Sequence, residues 1–310
     1  MLDFMLFITG ATGFIGKYLI RYLNKYNEQF CCLVKPSEKD SSNDKFLIDN
    51  NAIIEYGDIF DENKVKEIFS KYKFDNVIHL AAIIRSDRIE DFNEVNVIGT
   101  KVIVENCERF KINKLIFLST DFVLYPYRNT YRDTKLDAEN ILKNSKVNYT
   151  ILRPTPVYGL DDDKNFITLF PLVKKFPILP AVNCVMQPVY VEDVVSAIMS
   201  CLNNKKTDYK SYNLPGGSIV SFKDILKILS DEMGLKRFVF SVPNFIIVPG
   251  VRFYEKIVPN PVIHDYQISK WVLNKPLSLD EQKNDFKYSP IDFESGIRKT
   301  MKLMGISKKN

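Results

Sequence analysis

Short apolar runs alternate along the first half of the chain with longer stretches in which apolar residues recur every three or four positions. The runs Phe4–Thr9, Phe30–Val34, Ala52–Tyr56, Asn76–Leu80, Lys114–Ser119 and Asn148–Leu152 predict buried strands. The stretches Lys17–Tyr26, Asn63–Lys71, Phe92–Phe110 and Thr130–Lys143 predict helices. The polar segment Glu38–Asp44 reads as a surface loop. Strands that alternate with helices require crossover connections, which build a parallel sheet with helices on both faces. The expected fold is therefore α/β, a Rossmann-type doubly wound sheet.

The pattern changes after Arg153-Pro154, where Pro154, Pro156, Pro171, Pro177, Pro180 and Pro188 favour irregular walls over sheet. A strand-then-helix pattern resumes from Pro188 to Ala197 and is followed by a strand at Ser211–Leu214. The expected division is a Rossmann-type domain over 1–160, to which 186–214 return, and a smaller cap from 161–185 and 215–310. Within that cap, helices are predicted at Ser221–Met233 and near Phe293–Met304. Trp271 and the aromatic cluster from Phe238 to Phe253 are expected in its core, and the apolar stretch Val242–Val251 as core or pocket wall.

Composition excludes more than it identifies. The chain has 310 residues, enough for a large core, and a net charge of +5 whose basic residues are spread out. That distribution does not suggest nucleic-acid binding. The five cysteines contain no C-x-x-C pair and lie mostly in apolar stretches, as expected of reduced core thiols in a cytoplasmic protein. His79 and His264 sit in no metal-ligand spacing, so no metal site is expected. No uninterrupted apolar run is long enough to span a bilayer, and the N-terminal run, broken by Asp3, does not read as a signal peptide.

Candidate chemistry begins at Thr9-Gly10-Ala11-Thr12-Gly13-Phe14-Ile15-Gly16, between the first strand and the first helix. Free backbone N–H groups at such a helix start bind the pyrophosphate of a dinucleotide. Gly10 permits the tight turn, Gly13 lets the backbone approach the phosphates, and Gly16 lets helix and strand pack closely. Further on, a strand ending in Ser119-Thr120 precedes Tyr131 and Lys135, an i, i+4 pair on one helix face. A lysine ammonium beside a phenol favours the phenolate, and the Thr120 hydroxyl can hold a substrate oxygen next to it. These groups move a proton at a carbonyl or alcohol while a nicotinamide moves the hydride.

With these elements in place, the chain resembles the extended and atypical branches of the short-chain dehydrogenase/reductase superfamily, the NAD-dependent epimerase/dehydratase-like proteins. Thr9–Gly16 resembles the family's T-G-x-x-G-x-x-G, and Gly57-Asp58-Ile59 its G-D-[IVL], whose acid meets the adenine. His79-Leu80-Ala81-Ala82 resembles the segment beside the cofactor, and Asn96-Val97-Ile98-Gly99-Thr100 an element that braces the site. Leu152-Arg153-Pro154 with Val157-Tyr158-Gly159 resembles the stretch flanking the nicotinamide, and Val189–Val194 the V-x-V-x-D-V segment. The resemblance implies Thr120, Tyr131 and Lys135 as catalytic residues. It implies cofactor contacts at Gly10, Thr12, Gly13, Phe14, Ile15, Lys35, Asp58, Ile59, Leu80, Ala81, Ala82, Tyr131, Lys135, Pro154 and Val157.

An acid at the end of the second strand would select NAD. Lys35 and Ser37 stand there and suit a 2′-phosphate, so NADP is expected, with NAD the alternative. Pro156 replaces an asparagine that contacts the diphosphate in many sugar-nucleotide enzymes, and Arg252 is the preferred substitute contact. The expected activity is that of an epimerase or 4-keto reductase acting on a nucleotide-linked sugar, in a chain that admits a homodimer. A reductase of a lipid, isoprenoid or other small ketone is the first alternative. A non-catalytic cofactor-binding scaffold is the second.

Overall fold

The computed structural model describes residues 5–126, 128–162, 166–258 and 276–306. Its centre is a seven-stranded sheet built from β1 (Met5–Thr9), β2 (Gln29–Val34), β3 (Ile53–Tyr56), β4 (Asn76–His79), β5 (Lys114–Leu118), β6 (Tyr149–Pro154) and β11 (Lys210–Leu214). The spatial order is β11-β6-β5-β4-β1-β2-β3, and every neighbouring pair is parallel. All residues of β4 and β5 are buried, Asn76, His79 and Lys114 included, as strands covered on both faces must be. The strand order reverses between β1 and β4, where a doubly wound sheet opens a crevice for ligands.

Helices α1 (Phe14–Lys25), α2 (Ser42–Asp49), α3 (Glu62–Lys71), α5 (Gly99–Arg109), α6 (Thr130–Lys143) and α8 (Val191–Leu202) flank the sheet. The expectation of a loop at Glu38–Asp44 is corrected here: a 3-10 turn at Pro36–Glu38 leads into α2. Ser41 caps that helix, its hydroxyl accepting from the Asp44 N–H at 3.2 Å, while Asp44 accepts the Tyr56 hydroxyl at 2.6 Å. Polar side chains that read as a loop are here satisfied by capping and by one tertiary contact. The predicted helix Phe92–Phe110 is also modified. It begins with α4 (Ile89–Phe92), passes through a π-helical stretch at Asn93–Ile98 and continues as α5.

Beyond β6 the chain forms β7 (Val157–Tyr158), α7 (Phe170–Lys175), β8 (Ile178–Val182), β9 (Val185–Met186) and β10 (Val189–Tyr190). After β11 come β12 (Val220–Ser221), α9 (Phe222–Glu232), β13 (Phe238–Val242) and α10 (Asn244–Ile257), then helices at Asp280–Phe286 and Phe293–Leu303. These strands pair two by two, β10 with β7, β12 with β9 and β13 with β8. One apolar core runs without interruption from Leu6 and Ile8 of the sheet through Tyr158 and Val194 to Ile225, Phe293 and Ile297.

The aromatic cluster expected in the core is not there. Phe238, Phe245 and Phe253 are two-thirds or more exposed. Core space beside this segment is filled instead by Leu179, Ala181 and Val239, the alternate residues of the same strands. Trp271 lies outside the described residues.

Candidate functional site

The glycine turn opens α1 directly, so the helix starts three residues earlier than apolar spacing alone indicates. Gly10 has φ +75°, and a Cβ there would meet the Ala81 backbone nitrogen at 2.6 Å. A Cβ on Gly16 would stand 2.2 Å from the Gly10 carbonyl. Gly13 differs, because its added Cβ would meet only the Gly10 carbonyl, at 3.4 Å. The fold needs no glycine there, whereas a ligand approaching the backbone does. Gly13 is the N-cap of α1, no side chain caps the helix, and its first turn carries no acid. Uncapped N–H groups and an uncompensated helix dipole fit a dinucleotide pyrophosphate.

Across the switch point, His79 ends β4 fully buried. Burial holds its imidazole neutral, with a pKa pushed down to about 3. Thr100 donates its hydroxyl hydrogen to the Asn96 carbonyl at 2.7 Å, so it accepts from His79 Nε2 at 2.9 Å. His79 Nδ1 then accepts from Thr9 Oγ1 at 2.7 Å, which in turn accepts the Ala81 N–H at 3.3 Å. The histidine is a structural strut that fixes the turn beside Leu80–Ala82. Asn96, in the π-helical stretch, accepts the Ile83 N–H at 2.8 Å and donates to the Ile83 carbonyl and to Thr134 Oγ1, each at 3.1 Å. One buried amide thus ties the loop after β4 to α6, between Tyr131 and Lys135.

Asn129 starts α6, accepting the Arg132 N–H at 2.8 Å. Lys135 on that helix is 1% exposed, donates to the Leu118 carbonyl at 2.7 Å and lies 3.9 Å from the centroid of the Phe117 ring. Burial pushes its ammonium down to about 7, opposed by the charge of Glu139 one turn on. Glu139 is buried and accepts from Ser119 Oγ at 2.7 Å, from Arg153 Nε at 2.8 Å and from Lys143 Nζ at 3.0 Å. Burial by itself would raise the pKa of this carboxyl. The Arg153 guanidinium, helped by Ser119 and Lys143, outweighs that cost and holds it below the usual range. Thr120 follows β5, its hydroxyl accepting the Phe122 N–H at 3.2 Å.

A cleft of about 500 Å³ joins these parts. Gly10, Gly13, Phe14, Ile15, Leu80, Ala82, Thr120, Tyr131, Lys135, Pro154 and Val157 all line it. Thr12, Lys35, Asp58, Ile59 and Ala81 do not. Lys35 follows β2 and Asp58 follows β3, the two strands on the far side of β1 from β4. Arg252 is on α10 and is not among the lining residues. Arg237, another basic residue of that part of the chain, donates to the Val173 and Lys174 carbonyls at the end of α7.

Phe92, at the start of a predicted helix, also lines the cleft, as do Ile84, Arg85, Ser86 and Ile89, although nothing in the spacing of these four marks them. They belong to the loop and helix after the His79–Ala82 motif, and only the folded crossover brings them to the cleft that Tyr131 lines. Arg85 and Lys135 are the cations among the lining residues. No group of His, Cys, Asp and Glu suited to a metal is present among the described residues, and their five cysteines are free and buried. No described helix is long and apolar enough to cross a membrane.

The chain is similar in sequence and in fold to known proteins. The chain is 32% identical over 212 residues to a dTDP-D-glucose 4,6-dehydratase of Dictyostelium discoideum, covering 64% of this chain and 48% of that protein. It is 28% identical over 231 residues to the NADH dehydrogenase [ubiquinone] 1 alpha subcomplex subunit 9 of Arabidopsis thaliana, covering 72% of this chain and 56% of that one. The chain thus spans about half the length of these two relatives. The crystal structure of the UDP-glucose 4-epimerase of Thermotoga maritima with UDP-glucose shares its fold, with a TM-score of 0.75 at 19% identity over 97% of this chain and 98% of that one. Residues 6–214 match the NAD dependent epimerase/dehydratase family, and the chain belongs to it.

Proposed function

We propose that this protein is an NAD(P)-dependent oxidoreductase that acts on a hydroxyl or ketone of a nucleotide-linked sugar, as an epimerase or 4-keto reductase. The observation that carries this reading is the convergence of Thr120, Tyr131 and Lys135 on one cleft with the uncapped start of α1. A bound NAD(P) supplies hydride acceptance or donation. Tyr131 gives or takes the hydroxyl proton of the substrate, and Thr120 holds the same oxygen. Lys135 favours the tyrosinate and meets the nicotinamide ribose. The cofactor contacts inferred from the motifs, Thr12, Asp58, Ile59 and Ala81 included, belong to this reading. So does a substrate-binding cap formed by 161–185 and 215–310. Lys35 at the end of β2 supports NADP as the cofactor. The test is mass spectrometry of gently denatured protein for copurified NAD, NADP or nucleotide sugar, followed by turnover of Tyr131→Phe. Wild-type turnover in that variant rejects the site.

The diphosphate of such a substrate needs a cation, because Pro156 offers no amide. Arg85 in the cleft wall and Arg252 on α10 are the candidates. Calorimetric titration of UDP, GDP and dTDP against cofactor-loaded protein decides between them, through Arg85→Ala and Arg252→Ala. A second reading, a reductase of a lipid or other small ketone, is favoured by the apolar wall of Ile84, Ile89 and Phe92. Absence of heat with all three nucleotides supports it. The third, a non-catalytic scaffold, keeps the cofactor and predicts no turnover with any sugar or ketone.

A further inference from the structure

The outer face of β8, β13 and α10 breaks the ordinary rule for a surface. β13 pairs in parallel with β8, placing Phe238 opposite Ile178, Val239 opposite Leu179 and Phe240 opposite Pro180. Leu179 and Val239 point inward and are buried, so the strand period of two turns Ile178, Phe238 and Phe240 outward. A half-covered sheet normally carries polar residues on that side. Here Phe238 is 67% and Ile178 58% exposed, and the rings of Phe238 and Phe240 stack at 6.1 Å.

Pro243 leads directly into α10, which repeats the anomaly. At about 100° per residue, Phe245, Ile246, Pro249, Phe253 and Ile257 fall within a sector of about 120°. Phe245 is 78%, Phe253 67% and Ile257 60% exposed. The opposite side of the helix holds Val251 and Tyr254, which are half-buried. The helix therefore seats one apolar face on the protein and presents a second outward.

Charge indicates what this face meets. Segments 170–182 and 236–257 together contain six lysines and arginines and one acid, Glu255. Lys174, Lys175, Lys236 and Lys256 are exposed in the same segments, and Lys175 Nζ lies 5.4 Å from the Phe176 ring. A second copy of the chain would bring one basic rim against another, which opposes self-association. A bilayer with anionic headgroups satisfies both features, since aromatic and aliphatic side chains enter the headgroup boundary while lysines pair with lipid charge.

We propose that the β8, β13 and α10 face docks the protein peripherally on an anionic membrane surface. Docking needs no spanning helix and is independent of the chemistry assigned to the cleft.

The test is co-sedimentation of the full chain with phosphatidylcholine vesicles that contain or lack phosphatidylglycerol. Binding is expected with phosphatidylglycerol, weak without it and diminished by salt. Lys175→Glu and Lys236→Glu should each weaken binding by about fivefold or more. Phe245→Ser combined with Phe253→Ser should weaken it by at least tenfold, with circular dichroism and thermal melting unchanged. Absence of binding to either vesicle overturns the proposal, as does binding unaltered by these substitutions. A concentration-dependent dimer abolished by the phenylalanine substitutions, without vesicle binding, assigns the face to a second copy and overturns it too.

Discussion

The central sheet and the β8–β13 pair are both parallel and both rich in apolar residues, yet they treat those residues in opposite ways. In β4 and β5 every residue is buried because helices close both faces. In β13, only Val239 is buried, and Phe238 and Phe240 face outward. Apolar side chains therefore serve stability in one region and form a surface in the other. What differs is the number of layers packed against the strands, which neither strand encodes by itself.

The largest expected effect lies behind the sheet side of the cleft. Glu139→Ala strands Arg153 and leaves Ser119 and Lys143 without their acceptor, so a loss of about 3–5 kcal/mol is expected in chemical denaturation. A loss under about 1 kcal/mol would mean that water replaces the carboxylate and that this region is less closed than its burial indicates. Next comes Tyr131→Phe, expected to lower turnover at least about 10²-fold while NAD(P)H binding, followed by fluorescence, changes little.

Under the proposed function, cofactor choice is read at Lys35, outside the buried centre. Lys35→Ala should narrow the preference for NADPH over NADH by about 1–3 kcal/mol in direct titrations, and equal wild-type affinities would exclude the NADP assignment.

Stability should also follow pH through two buried groups. His79 has a folded pKa near 3, below its unfolded value, so the unfolded chain binds the extra proton between about pH 3 and 6.5. Stability should rise with pH across that window. Lys135, near 7 when folded, should add a second rise between about pH 7 and 10.5, by at most about 1.4 kcal/mol per pH unit. Thermal melts of cofactor-free Lys135→Met should lose the second rise and keep the first.

The smallest effect probes the exposed region. A Cβ at Gly250 on α10 meets nothing within 4 Å, so Gly250→Ala should gain up to about 1 kcal/mol from helix propensity. The same change at Gly10 should destabilise, through its positive φ and the Ala81 backbone. A gain at both positions would erase the contrast between the two regions.

Much of the site is legible in the sequence alone. The glycine turn, Thr120, Tyr131 and Lys135 are local signals, because anion binding at a helix start and an i, i+4 pair each need only a few consecutive residues. Helix α6 matches its sequence prediction at both ends, since Asn129 supplies an N-cap and apolar spacing runs to Lys143. Helix α2 escapes such a reading because Ser41 and Asp44 look polar and loop-like until their capping bonds are known. Arg85, Ile84 and Ile89 carry no periodic mark, and a crossover has to bring them to the cleft.

The sequence by itself determined the alternation of strands and helices, the glycine turn at the start of α1 and the placing of Tyr131 and Lys135 one turn apart on α6, since each depends on interactions within a few residues of chain. Only the tertiary structure decided that His79 is a neutral strut, that burial lowers the Lys135 pKa, and that Phe238, Phe245 and Phe253 face outward. Those outcomes depend on desolvation and on which faces find a covering layer, quantities set by residues far apart in the chain.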